Sequence, residues 1–575
     1  MEDERMKSFL TVVIASVCSA GAVYAQVPQI MSVSPAQNEL DVPGSTNISV
    51  TFDIDMDGTT INGATFVVYA VSTGSHEGVI SYDDPTRIAS FDPMDDFADG
   101  ELVTAVLTIG IQSSEGVPLA DAFIWSFTIA AGGGTGTFVE APTYSVGTAP
   151  MIITAADFDR DGDLDLAVPN RDSDNISILM NNGDGSFAAE ATYPAGSAPW
   201  SASAADFDGD GDIDLAIANR GTDSVSVLMN SGDGTFEEAS DYYVGNAPAL
   251  AIAADLDGDG HLDLATANID TNDVSVTMNN GDGTFGAHST YQVGANPWSV
   301  FAADFDGDGD LDMAAANRNS DDISILLNNG DGTFAPDANY SAGTNPVSVY
   351  AADLDGDGDL DLAVADFSSD DIAVLKNDGD AAFALDSNYA VGTRPRLVFA
   401  ADFDADGDID LTAANRATSN VSVLLNNGDG TFADQNSYST DIHPVSVFAA
   451  NLDGNSGLDL VTANIDAGNV SVFTNVAGND IEDQEILPAQ FSLRQNYPNP
   501  FNASTIIYYS IAENAAVTIE IYDLLGRSVE TLVQGEQAAG YHRVEWDAGD
   551  QSSGVYFYKL QAGEYSETMK MVLLK

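Results

Sequence analysis

The sequence predicts an all-β chain: a closed ring of seven small sheets, flanked by an N-terminal Ig-like β-sandwich and a small C-terminal β-sandwich. Three observations carry this expectation. A nine-residue acidic loop recurs with its first position at Asp157, Asp206, Asp255, Asp304, Asp353, Asp402 and Asn451, a constant step of 49 residues. A turn ending in phenylalanine keeps the same step at Phe138, Phe187, Phe236, Phe285, Phe334, Phe383 and Phe432. The first of these turns precedes the first loop, and Ala477-Gly-Asn-Asp-Ile481 stands where an eighth would fall. Periods of about 20–50 residues mark solenoids, propellers and arrays. An early strand that completes the last unit hides the sheet edges, which favours a circle over an open row. With four strands in each unit, residues 138–477 make a seven-bladed β-propeller.

The fourth repeat shows the punctuation within one unit. Strands are expected at 298–303, 311–316, 323–327 and 334–340, with the acidic loop between the first two. Asn328-Asn-Gly-Asp-Gly-Thr333 is a hairpin turn whose glycines accept positive φ. The strands carry Ala, Ser, Val, Ile and Leu on both faces, as sheets packed between neighbouring sheets require.

The loops themselves demand a cation. The first reads Asp157-Phe-Asp159-Arg-Asp161-Gly162-Asp163-Leu-Asp165. Carboxylates this close repel by on the order of several kcal/mol at intermediate dielectric. The spacing suits Ca2+, with side-chain oxygens at positions 1, 3 and 5, a backbone carbonyl at 7, a carboxylate at 9, and glycine at 6 for the sharp turn. The candidate ligands are Asp157, Asp159, Asp161, Asp163 and Asp165; Asp206, Asp208, Asp210, Asp212 and Asp214; Asp255, Asp257, Asp259, His261 and Asp263; Asp304, Asp306, Asp308, Asp310 and Asp312; Asp353, Asp355, Asp357, Asp359 and Asp361; and Asp402, Asp404, Asp406, Asp408 and Asp410. His261 replaces Asp at position 7, where the backbone ligates, so that site is expected to survive. The seventh loop keeps only Asp453 and Asp459 as acids, beside Asn451, Asn455 and Ser456. About six calcium sites and a degenerate seventh are therefore expected. An EF-hand needs Glu at position 12, where the first loop has Val168, and helical flanks where these are strands.

These repeats resemble the FG-GAP/VCBS propellers of integrin α-subunit heads and many bacterial surface proteins. The resemblance covers residues 138–477 and implies the fold and calcium, with no ligand specified.

The remaining segments follow in order. Residues 1–25 read as a secretory signal, with Arg5 and Lys7, an apolar run over 9–23 and a small-residue end at Ala25. The single cysteine, Cys18, lies inside it, so the mature chain has no disulfide and calcium takes over the stapling. No later run of apolar residues is long enough to span a membrane. Residues 28–131 alternate apolar and polar in short bursts, a β-sandwich pattern. Ser34-Pro35-Ala, Val50-Thr-Phe52, Met56-Asp57 and Trp125-Ser-Phe127-Thr resemble bacterial Ig-like domains of the surface-layer type, which implies a spacer or stalk. Asp53, Asp55 and Asp57 read as a solvated turn. After a glycine-rich link at 131–136 and the ring, 478–490 is an acidic linker. In 491–575, Asn496-Tyr-Pro-Asn-Pro-Phe-Asn502, Gly526-Arg527, Trp546-Asp547 and Gly554-Val-Tyr-Phe-Tyr558 resemble the type A C-terminal sorting domain of the type IX secretion system. That resemblance implies a small β-sandwich recognised by outer-membrane export machinery, in a Gram-negative bacterium, with the cargo released or attached to the surface.

The 575 residues carry 90 acids against 17 bases, a net charge of −73, of which the loops supply 31 acids. Such a charge excludes nucleic acid and anionic membrane as partners. Strand order puts the acidic loops and Asn-Gly turns on one rim and the other connections on the opposite rim. Six of the seven arginines of the ring, all but Arg160, map to that opposite rim. Arg171, Arg220, Arg318, Arg396 and Arg416, with Trp200 and Trp298, are the candidate ligand-binding residues there. Tryptophan rings stack on sugars and arginine forks clasp carboxylate or sulfate. The competing role for the arginines is bracing their own loops, and for the tryptophans packing between blades. Five scattered histidines and no Cys nucleophile or Gly-x-Ser-x-Gly elbow offer no catalytic constellation. The expected protein is a secreted or surface-attached monomer acting in adhesion or glycan binding. A polysaccharide lyase or hydrolase using the axial channel and a purely structural matrix protein are the alternatives.

Overall fold

The computed structural model describes residues 26–476 except residue 456, and beyond 491 the strands that run to residue 573 with short breaks. The signal segment, the 478–490 linker and nearly all of the 496–502 motif lie outside the described residues. The described residues contain strands and turns but no helix, and none long and apolar enough to cross a membrane as one. They form two compact units, 1–477 and 478–575.

The ring has seven blades. In the fourth, Pro297–Ala303, Asp312–Asn317, Asp322–Leu326 and Ala338–Ser341 pair in that order, antiparallel throughout. The innermost strand lines the axis and the second is buried along its whole length. The outer strand starts later than the sequence suggests. Phe334 instead folds back to bridge Asn328 across the turn and is 8% exposed, so it packs as a wedge rather than pairing as a strand. Its equivalents meet a phenylalanine of the preceding blade edge-on, as Phe236 meets Phe158 at 5.5 Å and Phe383 meets Phe305 at 5.5 Å.

Closure follows the expected seam. Phe138–Glu140 and Tyr144–Ser145 pair with Asn469–Asn475 and complete the last blade. The inner strands of the first and last blades also meet, through Ser446 Oγ donating to the Met151 carbonyl at 3.2 Å. Phe138 is 5% exposed and sits edge-on to Phe403 and Tyr438. Phe138→Ala leaves a cavity at the seam, and a loss of about 3–5 kcal/mol is expected. Thermal denaturation checks it.

A repeated staple joins every blade to the one before it. The first asparagine of each Asn-Gly turn is buried, and its Nδ2 donates to the carbonyl of loop position 2 in the preceding blade. Asn230 reaches Phe158, Asn279 reaches Phe207 and Asn328 reaches Leu256, each at 2.8 Å. Asn377, Asn426 and Asn475 repeat the bond, and Asn181 reaches Leu452 at 2.8 Å to close the circle.

The N-terminal sandwich has two four-stranded sheets around Trp125, Phe66, Phe91 and Phe127. It does not stand off as the spacer its family implies. It is seated on the acidic-loop rim of the ring. Val106 and Ile124 are buried in one cluster with Ala254, Leu256 and Val276 of the propeller. Ile124 N–H donates to the Gly309 carbonyl at 3.0 Å, Asn38 Nδ2 to Gly358 at 3.1 Å, and Asp157 N–H to Ser72 at 3.2 Å. Burying apolar side chains and pairing loop backbone with a neighbour fixes a domain that the sequence alone leaves on a tether.

In the second unit, Ser492–Leu493, Ser504–Ile511 and Gly540–Asp547 form one sheet. Ala515–Asp523, Ser528–Gln537, Gly554–Ala562 and Tyr565–Leu573 form the other. Trp546, Tyr558, Ile519 and Leu560 fill the core between them.

Candidate functional site

Each of the first six acidic loops is a turn wound around its own first carboxylate. Asp304 Oδ2 accepts the Gly309 N–H at 3.0 Å and Oδ1 the Gly307 N–H at 2.8 Å. Gly309, at position 6, has φ 94°, which a side chain would strain. The carboxylates at positions 1, 3 and 5 converge in loops two to five: in each of the trios beginning at Asp206, Asp255, Asp304 and Asp353, the ligand oxygens lie within 4.8 Å of one another. In the first loop Asp157, Asp159 and Asp165 form such a trio. Position 3 supplies the clearest test of metal fit. Asp159, Asp355 and Asp404 each bury one Oδ1 with no hydrogen-bond donor, an arrangement that is costly for a carboxylate and that a cation would satisfy. An all-oxygen set of this kind suits a hard cation, and calcium most closely.

Position 9 does a second job that its spacing does not disclose. Asp312 is 1% exposed; its Oδ2 accepts the Phe305 N–H at 3.1 Å and its Oδ1 the Asn328 N–H at 2.7 Å. The same pair of bonds recurs at Asp165, Asp214, Asp263 and Asp410. This carboxylate therefore joins the acidic loop to the Asn-Gly turn of its own blade. Two loops are modified by a neighbouring basic group: Lys376 contacts Asp355 at 2.8 Å and Arg160 contacts Asp212 of the next loop at 2.7 Å. His261 is exposed, its ring lies against the turn at Gly281, and its backbone N–H donates to Asp259 Oδ1 at 2.9 Å. In the seventh loop, the Asn455 amide donates to Asp453 at 3.0 Å and Asn451 donates to Asp99 of the sandwich. There an amide N–H, rather than a further carboxylate, faces Asp453.

Burial drives the deepest carboxyls up, to about 7 for Asp165, Asp255, Asp304, Asp361 and Asp459 and to about 8 for Asp214, Asp263, Asp312 and Asp410. In the calcium-free protein these groups keep protons that the unfolded chain has already released above about pH 4. The folded state then binds more protons than the unfolded state, so calcium-free stability falls as pH rises from about 4 to 8. Calcium ligation requires the deprotonated form, so calcium affinity is expected to rise across the same window. Melting calcium-free and calcium-loaded protein at pH 5 and pH 8 checks both signs: the calcium-free protein melts higher at pH 5, and the gain from calcium is larger at pH 8.

The axial channel is closed differently at its two ends. At the acidic-loop end the sandwich covers a chiefly apolar chamber of about 330 Å³. Phe301, Tyr350, Phe399 and Phe448 line an arc of it, with successive rings 4.8, 4.9 and 5.1 Å apart. At the opposite mouth, the second residue of six inner strands, with Met151 in the first blade, makes a ring of side chains: Met151, Trp200, Ala249, Trp298, Val347, Arg396 and Val445. Six of these, with Ala249 absent, border a cavity of only about 30 Å³ below the mouth.

The structure gathers the arginines and tryptophans of that rim. Trp200 is 7% exposed and meets Trp298 edge-on at 5.7 Å, so it packs within the ring wall. Three guanidinium carbons lie over Trp298: Arg396 at 4.5 Å, Arg318 at 4.8 Å and Arg220 at 5.9 Å. Phe367, which the sequence did not single out, holds Arg318 at 5.0 Å and Arg394 at 5.7 Å. Only Arg171 braces its own loop, through Asp172 at 2.7 Å; Arg220, Arg318, Arg394, Arg396 and Arg416 have no acid within 4.0 Å among the described residues. Phe367 follows a second strand as Arg171, Arg220 and Arg318 do, and that shared register was the signal available in the sequence.

Family models match nearly the whole described chain. The FG-GAP-like repeat matches at 120–168, 167–217, 206–266, 255–315, 304–364, 353–412 and 402–462. The bacterial Ig-like domain matches 25–129 and the secretion system C-terminal sorting domain matches 495–574. Among curated proteins no match is found. Solved structures of similar fold include BBS1N in complex with ARL6DN, 10% identical, with a TM-score of 0.45 over 60% of this chain and 98% of that one. The periplasmic gluconolactonase PpgL of Pseudomonas aeruginosa is 14% identical, with a TM-score of 0.37 over 65% and 96%. PorZ, a surface component of the type-IX secretion system of Porphyromonas gingivalis, is 13% identical, with a TM-score of 0.38 over 94% and 75%.

Proposed function

The chain belongs to the FG-GAP-like repeat family, and from that membership and its sorting domain we propose a calcium-stabilised surface protein that binds glycans in adhesion. It is a secreted or surface β-propeller, and its C-terminal domain engages the type IX secretion system. Six loops hold calcium through carboxylates at positions 1, 3 and 5 and the carbonyl at 7, and the ion relieves their repulsion. The mouth opposite those loops faces the ligand. The observation that carries this is the division of the ring: the sandwich occupies the calcium-loop end, while the other end presents unpaired cations.

Binding rather than catalysis is favoured by the channel, whose chamber is chiefly apolar: alanine, aromatic and aliphatic side chains outnumber its four acids, Asp99, Glu101, Asp304 and Asp353. Calcium-loaded protein on a glycan array should retain specific sugars and lose them as chelation unfolds the ring. An array with no retained glycan, or turnover of an acidic polysaccharide by the purified protein, would overturn adhesion.

A further inference from the structure

We propose that the axial mouth is an oxyanion site for an acidic polysaccharide, with Arg220, Arg318 and Arg396 as its clasp. This rests on the glycan-binding reading above and names the class of glycan.

The argument begins with what the arginines lack. In a chain with 90 acids, five arginines of one rim have no acidic partner within 4.0 Å among the described residues. Instead the guanidiniums of Arg318 and Arg396 lie over the Trp298 indole at 4.8 and 4.5 Å, and Arg220 lies over the adjoining Trp200 at 4.7 Å and reaches Trp298 at 5.9 Å. Cation–π contacts of this kind are worth about 0.5–2 kcal/mol each. They orient the planar forks and offset part of the mutual repulsion, yet leave N–H donors unspent. Arg318 Nε is buried with no acceptor. Burial and the charges of Arg416, Arg318, Arg220 and Arg171 push Arg396 down to about 9, the electrostatic strain of crowded cations.

The faces of Trp298 are taken by cations, so the ring serves the arginines more than a sugar. An oxyanion fits what is left: it accepts from several forks at once, and bidentate arginine recognition favours carboxylate and sulfate. The cavity beneath is only about 30 Å³, so the anion rests in the mouth rather than threading the channel. The overall charge of −73 repels polyanions at long range, but at physiological salt the screening length is about 8 Å, and the local cluster governs capture.

The test uses calcium-loaded full chain on immobilised polygalacturonate (carboxylate), heparin (sulfate) and dextran (neutral). Retention on at least one acidic polymer, with dextran bound at least tenfold more weakly, is expected; the two acidic arms identify the oxyanion. Arg318→Gln with Arg396→Gln should weaken retention at least tenfold while the melting temperature holds or rises. Arg396→Lys should weaken it less, and Arg87→Gln, on the sandwich and ion-paired with Asp55, should leave it unchanged. Retention on acidic polymers unaffected by the double substitution in folded protein would overturn the site. Dextran binding as strong as acidic binding would overturn the anionic class and leave glycan binding standing. Absence of binding to all three would overturn both.

Discussion

Withdrawing calcium is expected to lower the melting temperature of the ring by about 10–30 °C, the largest effect any single change of solution should produce. Extracellular sites often bind at roughly 10⁻⁴–10⁻³ M, so 10 mM calcium would stabilise each such site by about 1.4–2.7 kcal/mol. Six sites together rival the whole stability of an ordinary domain, about 5–15 kcal/mol. The cooperation has a structural basis, because Asn328 links one turn to the loop of the preceding blade and the other asparagines repeat the link around the circle. Calorimetric scans in calcium and after dialysis against chelator measure the shift, and bound metal measured on the same samples should approach six ions rather than seven. An unchanged melt would remove calcium from the account altogether.

The second large effect separates framework from ligand. Asp312→Ala should destabilise the protein by about 2–6 kcal/mol whether or not calcium is present, because two buried N–H donors, of Phe305 and Asn328, lose their acceptor. Asp308→Ala should behave otherwise. Asp308 is exposed, and the charges of Asp306 and Asp310 lie beside it. In calcium its loss weakens one site; without calcium it removes repulsion at the cost of one exposed hydrogen bond, and the melt should hold or rise. Parallel melts of the two variants in calcium and in chelator decide the matter: equal losses for both variants under both conditions would show that positions 5 and 9 are not divided in this way.

The ring and its loops were legible because a 49-residue step without insertions leaves few architectures open, and alternating aspartates have few uses besides a hard cation. The asparagine staples were visible in the same register but looked like turn formers, since nothing local distinguishes an amide that reaches the next blade from one that caps its own turn. The two roles of position 9 were hidden for the same reason. The seat of the sandwich was not legible at all. Val106 and Ile124 read as ordinary strand residues, and only the folded surfaces show that they serve a second core. On the cationic rim the arginines cluster, and Trp200 and Trp298 meet edge-on with guanidiniums over their rings, contacts that no local pattern in the sequence discloses.

The seam also sets a timetable. Thr135 donates its N–H to Asn475, 340 residues later. A chain emerging N-terminus first at about 5–20 residues per second keeps the early strand waiting roughly 17–70 s for its partner. Until then six blades stand as an open arc with two raw edges, and the piece that seals them arrives just before the sorting domain. Completion of the circle and readiness for export are thus adjacent events on one clock, and a stalled or truncated chain reaches neither.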